Sequence, residues 1–368
     1  MKFSCDKYVL QQAAASAARA AAAKSPIPTL EGLLIEAGAS VRITGYDLKK
    51  AIYTTIDADI PEPGSVLIGA RLFCEMLRRM PDGIVTVEAE NGTVSVKCGK
   101  AAFNLVGLSA DDYPDLPTVE AENGVSLPQD LLKKMINECS FAVSTNESRP
   151  VYMGTLFEIE NHVLTMVSVD GYRLALRREA VEGYGDDCSF IVPGTALSDL
   201  ERLCGDSDER VVLSVGSKHI SFTVGNTVIL SRRLEGDFLN YKKAIPESFR
   251  VTVKTARTDL LEVVERVSLI IDSKNNAPLR LTFRKDAIDF VCTTPLGKAA
   301  DSCPCEGDGG DLEIGFNDHY LSDALKAAPA EEINVCLNTG SSPCILVPAD
   351  GSDNFVYMVL PVRLRAGQ

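Results

Sequence analysis

The chain has no tryptophan, three histidines and few aromatic residues of any kind. With His162, His219 and His319 as the whole supply, none stands in an HExxH or similar ligand spacing. His162 falls in an Asn-His pair that reads as a hairpin turn, His219 in a strand pattern just past a turn, and His319 at the start of a helix. Neither GxSxG nor GxxxxGK[ST] occurs. Gly307, Gly309 and Gly310 sit among Asp308 and Asp311, a poor cradle for phosphate. Cys303-Pro-Cys305 is the only close cysteine pair, and it lacks both CxxC spacing and a second pair, so no zinc site is expected. Asp170 has neither a paired carboxylate nor a nucleophile beside it in sequence. The expectation is a chain without a catalytic site, metal or cofactor.

Long apolar runs are missing too, which excludes a membrane-spanning helix. The opening MKFSCDKYVLQQ lacks the basic segment and apolar core of a secretory signal. Eleven cysteines, an odd number scattered along the chain, suit a reducing compartment better than a disulfide framework, so a cytoplasmic location is expected. Positive charge is in deficit: 37 Lys and Arg stand against 51 Asp and Glu, a formal net charge of -14. Spread evenly, that charge repels phosphate and argues against a simple nucleic-acid coat.

What the sequence does have is repetition. It falls into three segments of roughly 120 residues, an ordinary domain size, with boundaries expected at 1–119, 120–246 and 247–368. Each opens with a strand-like alternation running into a helical pattern: MKFSCDKYVLQQAAASAARAAAA, VSLPQDLLKKMINECSFAV and FRVTVKTARTDLLEVVERVSLII. Asp6, Asp130 and Asp259 lie near the helix starts, where a carboxylate favours the exposed N–H groups and the helix dipole. A second short helix follows in each segment (ARLFCEMLRRM, GTALSDLERLC, NDHYLSDALKAA), then a hairpin turning at Asn91-Gly92, Gly216-Ser217 or Thr339-Gly340. DYPDLP (112–117) and DFLNYKKAIP (237–246) close the first two segments. The fold expected is α+β: three tandem copies of a domain with two helices packed on mainly antiparallel sheets. Stacking the copies edge to edge, with a second chain closing the series, would remove exposed sheet edges.

The stretch VDGYRLALR (169–177) reads as a turn at the end of a strand, with fainter versions at TGYDLKKAI (44–52) and TTPLGKAAD (293–301). Together with MKFSCDKYVLQQA, KSPIPTLEGLL (24–34), RPVYMGTLFE (149–158) and YMVLPVRL (357–364), it makes the chain resemble, over its whole length, the bacterial sliding clamps, the beta subunits of DNA polymerase III. That resemblance implies a head-to-tail homodimer whose six DNA-clamp domains close a ring around duplex DNA. Helices would line the hole and sheets would form the outer wall. Basic residues confined to the helices would reconcile an acidic chain with encircled DNA. The candidates are Lys24, Arg71, Arg78, Arg79, Lys133, Lys134, Arg149 and Arg202, with Arg257, Arg266 and Lys326 beyond them; Lys24 and Arg149 match family DNA-contact segments. A solvated helix face is the competing account of each.

The resemblance also implies a pocket for a short peptide, Gln-Leu-x-Leu-Phe-like, through which the replicative polymerase, the clamp loader and repair proteins dock. Carried over, it comprises Tyr152, Val169, Gly171, Tyr172, Arg173 and Leu174, then Leu239, Lys243 and Ala244, then Ser342, Met358, Val359, Leu360, Pro361, Val362 and Arg363. Apolar walls would take the Leu and Phe anchors and a few polar groups would orient the peptide. The alternative reading of Val169, Leu174 and Leu360 is as core strand residues. Two departures from the family pattern stand out: Leu239 where a proline is common, and a polar tail, Arg365 to Gln368, past Leu364. For the dimer contact the resemblance points to Phe103 and Leu105 meeting Ile270 and Ile271, against their reading as ordinary core. A hydrolase using Asp170, or a three-domain protein-binding scaffold that does not encircle DNA, are the alternatives.

Overall fold

In a computed structural model, which describes residues 1–119, 124–182, 187–272 and 277–364, each repeat begins as its pattern predicts, with a short strand running directly into a helix. The helices are α1 (Lys7–Ala18), α2 (Ala70–Arg79), α3 (Gln129–Ser140), α4 (Gly194–Leu203), α5 (Tyr241–Ala244), α6 (Arg257–Ser268) and α7 (Asp318–Ala327). Two fall in each repeat, and the single turn α5 is an addition within DFLNYKKAIP that the sequence reading passes over. Asp6 caps α1, its Oδ1 accepting the N–H groups of Tyr8 (2.8 Å) and Val9 (3.3 Å). Asp130 and Asp259 lie inside the first turns of α3 and α6, where they act on the helix dipole. Hairpin turns follow local chemistry: Asn91 and Gly92 take φ values of 50° and 75°, and Asn161 and His162 take 51° and 63°. His162 is thus a turn residue, as its sequence context suggests.

The chain divides into two compact units. The first gathers Met1–Lys133 with Thr195–Arg233. It holds a five-stranded sheet, in the order Asp59–Glu62, Lys2–Asp6, Ile84–Glu90, Thr93–Cys98, Ala101–Val106. An eight-stranded sheet accompanies it and combines strands of two repeats, because Thr227–Arg232 lies antiparallel against Lys50–Ile56 with Leu230 opposite Ala51. The core of this unit packs Leu10, Ala13, Ala14 and Ala17 of α1 and Phe73, Met76 and Leu77 of α2 against strand residues such as Leu33, Ile35, Ile43, Val85 and Val96. The alanines let α1 lie close. A Cβ at Gly45 would stand 2.0 Å from the carbonyl oxygen of Ala17, so that position tolerates only glycine.

The second unit gathers Lys134–Val181 with the chain from Leu234. Its ten-stranded sheet again joins two repeats edge to edge: Arg173–Ala180 pairs antiparallel with Phe355–Val359, setting Leu174 opposite Met358. At the far edge the strand Leu279–Thr294 forms a long hairpin with Gly297–Phe316. Edge-to-edge pairing of successive repeats, expected from the need to cover strand edges, therefore occurs once in each unit.

Candidate functional site

In the second unit, strand alternation sorts the candidate pocket residues before any ligand is considered. Side chains directly opposite in an antiparallel pair share a face, and neighbours along a strand point to opposite faces. Val169 is opposite Leu174, and Leu174 is opposite Met358, so these three lie on one face. With Leu156, Val167, Leu176, Ile191, Tyr241, Cys336 and Ile345 they form a buried apolar cluster. Half-buried Val151, Tyr152, Leu234, Phe238, Leu239, Val347 and Leu360 pack around it. Tyr152 comes from the 3-10 turn Pro150–Met153 and meets Phe238 edge to face, ring centroids 5.6 Å apart. Tyr241 of α5 donates its hydroxyl to Glu158, and burial, then that acid, push its pKa up to about 12. Lys242 pairs with Glu158 at 2.9 Å and Glu160 at 3.0 Å, which anchors α5 beside the cluster. Lys243 is exposed on α5 and Ala244 half-buried.

The carried-over set is therefore only partly assembled. Tyr152, Val169, Leu174, Leu239, Met358 and Leu360 come together. Arg173 and Val359, one residue out of phase, face the opposite side of the sheet. There Arg173 reaches Asp323 of α7 at 2.6 Å and lies over the rings of Tyr320 and Phe141. Gly171 takes φ 95° at the turn, and Tyr172 is exposed and stacked on Tyr320 at 5.6 Å. Ser342 binds Thr339 through its hydroxyl (2.7 Å) within its own loop. Past half-buried Pro361, Val362 bonds the Gly315 carbonyl at 2.8 Å and Arg363 is exposed. Phe238, Val151 and Tyr241 are cluster members that the sequence reading missed; the aromatic spacing within DFLNYKKAIP is the signal that could have found the first and third. The tail Arg365 to Gln368 lies outside the described residues.

The candidate DNA-facing cations are placed unevenly. Lys24 is exposed in the loop after α1, Arg71 is exposed on α2 and Arg202 on α4. Arg78 and Arg79 are exposed on α2 but share Glu75, at 3.9 Å and 3.1 Å. Lys133 pairs with Asp206 at 2.7 Å. Lys134 is exposed at a cleft of about 500 Å³, which Asn137, Glu138 and Phe141 line with Asp323 and Lys326 of α7. Arg149 is exposed, its guanidinium 6.0 Å from the Tyr152 ring centroid. Arg266 pairs with Asp301 and Glu262, and Lys326 with Glu265. Arg257 leaves the set: it is half-buried and donates to the carbonyls of Ala330 and Leu325 at the end of α7.

For the dimer candidates, Phe103 and Leu105 lie on Ala101–Val106, an edge strand of the five-stranded sheet, with Phe103 exposed and Leu105 packed on the core. Ile270 and Ile271 are not on a strand. They are half-buried in the chain leaving α6, and the neighbour Leu269, which the sequence reading passes over, is 83% exposed.

Models of the DNA polymerase III beta subunit match the chain at residues 1–117 (N-terminal domain), 126–240 (central domain) and 242–363 (C-terminal domain). The beta sliding clamp of Bacillus subtilis is 30% identical over 99% of this chain and 100% of its own. That of Halalkalibacterium halodurans is 31% identical over the same shares. Among solved structures, a putative DNA polymerase III beta subunit from Eubacterium rectale superposes with a TM-score of 0.95 at 29% identity, covering 99% of this chain and 100% of that one.

Proposed function

Because the chain belongs to the family of DNA polymerase III beta subunits, the beta sliding clamps, we propose how its own residues carry that role. It is a sliding clamp of three tandem clamp domains, at 1–119, 120–246 and 247–368, with no chemistry of its own. A second copy closes the series head to tail around duplex DNA, with the exposed edge strand Ala101–Val106 as one half of the contact and the apolar residues after α6 as the other. In the cytoplasm the ring tethers the replicative polymerase and the other proteins that dock on it.

The observation that carries the docking reading is the two-layered cluster of the second unit, a buried floor under a half-buried apolar rim. Such a surface suits the Leu and Phe anchors of a short peptide, since apolar walls supply affinity without demanding polar partners. Its walls are Tyr152, Val169, Leu174, Leu239, Met358 and Leu360, with Gly171 and Tyr172 at one end and Lys243 and Ala244 at another. Arg173 and Val359 are left out because they face away.

DNA is held by topology. Contacts to phosphate carry no sequence information, so exposed Lys24, Arg71, Arg149 and Arg202 permit sliding, and the net charge of -14 disfavours binding elsewhere on the surface. The test is retention: protein loaded on nicked circular DNA should stay bound and should run off once the circle is linearised. Lys24→Glu with Arg149→Glu should lower the retained fraction. Equal release from circles and linear DNA would refute encirclement.

A further inference from the structure

The turn inside VDGYRLALR is built twice in this chain. In the second unit, Val169 and Leu174 close it, and Asp170 Oδ1 accepts the N–H groups of Tyr172 (2.9 Å) and Arg173 (3.0 Å). In the first unit, Tyr46 and Ala51 close its counterpart, and Asp47 Oδ1 accepts the N–H groups of Lys49 (2.9 Å) and Lys50 (2.7 Å). Each turn offers one carbonyl to the neighbouring repeat: Tyr172 accepts from Leu360 N at 2.8 Å, and Lys49 accepts from Arg232 N at 2.9 Å. Each also ends in a cation that grips an aspartate on the neighbouring repeat's second helix. Lys50 binds Asp199 of α4, and Arg173 binds Asp323 of α7.

We propose that Asp323 is a positioning residue for the peptide pocket, acting through Arg173 on the turn that ends the pocket wall. The proposal rests on the docking reading above. Arg173 points away from the apolar cluster, so it does not serve an anchor side chain there. Its guanidinium instead spans two acids, Asp170 through Nε at 3.0 Å and Asp323 through Nη1 at 2.6 Å. The Tyr320 ring lies beneath it, 4.7 Å from centroid to Cζ. Asp170 is the residue that folds the turn, and the turn carbonyl of Tyr172 holds Leu360, which lies on the pocket rim. Gly171, at φ 95° and with open space around it, gives the turn no packing of its own. Asp323 thus fixes Arg173, Arg173 fixes Asp170, and the rim inherits that order. The third repeat has Gly297 where the cation would stand, although Thr294 still accepts the Leu296 N–H at 3.1 Å, so it carries no such grip.

The test uses the dimeric full-length protein and a fluorescent Gln-Leu-Ala-Leu-Phe peptide, read by anisotropy. Asp323 is partly exposed, so Asp323→Asn should weaken peptide binding by about three- to tenfold. Asp323→Glu should restore it to within about twofold. Asp199→Asn removes the equivalent grip in the first unit, and should lower the melting temperature while leaving peptide affinity unchanged. Wild-type affinity in Asp323→Asn, or equal weakening in Asp323→Asn and Asp199→Asn, would overturn the assignment. If the wild-type protein fails to bind the peptide, the docking reading itself falls, and the assignment with it.

Discussion

Arg177 closes the VDGYRLALR stretch, and replacing it with methionine tests how the second unit is held together. Its side chain is 6% exposed, and its guanidinium binds Glu138 of α3 through Nε, Glu179 at 2.7 Å and the Asn354 carbonyl at 2.7 Å. Methionine keeps the apolar stem and removes every donor. Glu138 is itself only 13% exposed, and burial is the largest influence on its carboxyl, raising the pKa although Arg177 pulls it down. Breaking a buried pair from one side costs about 3–5 kcal/mol, because the remaining charge is left without compensation. Glu179 is nearer the surface and regains water, which favours the lower end, about 3 kcal/mol. In a unit of this size that is a fall of about 6–12 °C in melting temperature.

The pH dependence separates this mechanism from simple loss of packing. A carboxyl whose folded pKa lies above its unfolded value holds its proton more tightly when folded, so this group's contribution to stability falls as pH rises through that window. Without Arg177 the folded pKa of Glu138 climbs further and the window widens upward. The deficit of Arg177→Met should therefore be larger at about pH 8 than at about pH 5, where protonation relieves the buried charge. Adding Glu138→Gln should recover a substantial part of the loss at the higher pH. Thermal melts followed by circular dichroism at both values suffice. A deficit independent of pH, or a double variant less stable than Arg177→Met, would refute the reasoning.

Three further outcomes follow from the geometry. Phe103→Asp with Leu105→Asp, or Leu269→Asp alone, should halve the native mass, which native mass spectrometry reads directly; an unchanged mass would remove these residues from the contact. Gly45→Ala should cost about 3 kcal/mol in urea unfolding, since the added Cβ would meet the Ala17 carbonyl oxygen at 2.0 Å. Met358→Ala should weaken the Gln-Leu-Ala-Leu-Phe peptide by about tenfold while Val359→Ala lowers stability alone, because only Met358 faces the cluster; equal effects on affinity would refute the sorting by face.

The features legible in the sequence are those fixed by neighbours along the chain. Asp6 caps α1, Asn91-Gly92 and Asn161-His162 make primed turns, and Asp170-Gly171 bends the chain, each through residues two or three apart. What the sequence leaves open are contacts made across long separations. The register of Arg173–Ala180 on Phe355–Val359 decides that Arg173 and Val359 face away from Leu174 and Met358, and a run of consecutive pocket residues carried over by resemblance ignores that alternation. Arg257 looks like a free helix cation until the end of α7 supplies the Ala330 and Leu325 carbonyls.

The repeat also explains its own asymmetry. Each unit has a cluster beneath its turn, but the two are filled differently. In the first, Leu30 from the 3-10 turn Pro28–Glu31 and Tyr113 from DYPDLP are both buried, and the Tyr113 hydroxyl has no hydrogen-bond partner among the described residues. Burial pushes the Tyr113 pKa well up, as expected for a phenol sealed among apolar neighbours beside Tyr46 and Asp47. In the second, the corresponding Tyr152 and Phe238 remain half-buried at the rim. The first copy uses its aromatic to close its own core. The second leaves its pair at the surface with apolar area still to cover, and that difference is what the docking reading proposed above draws on.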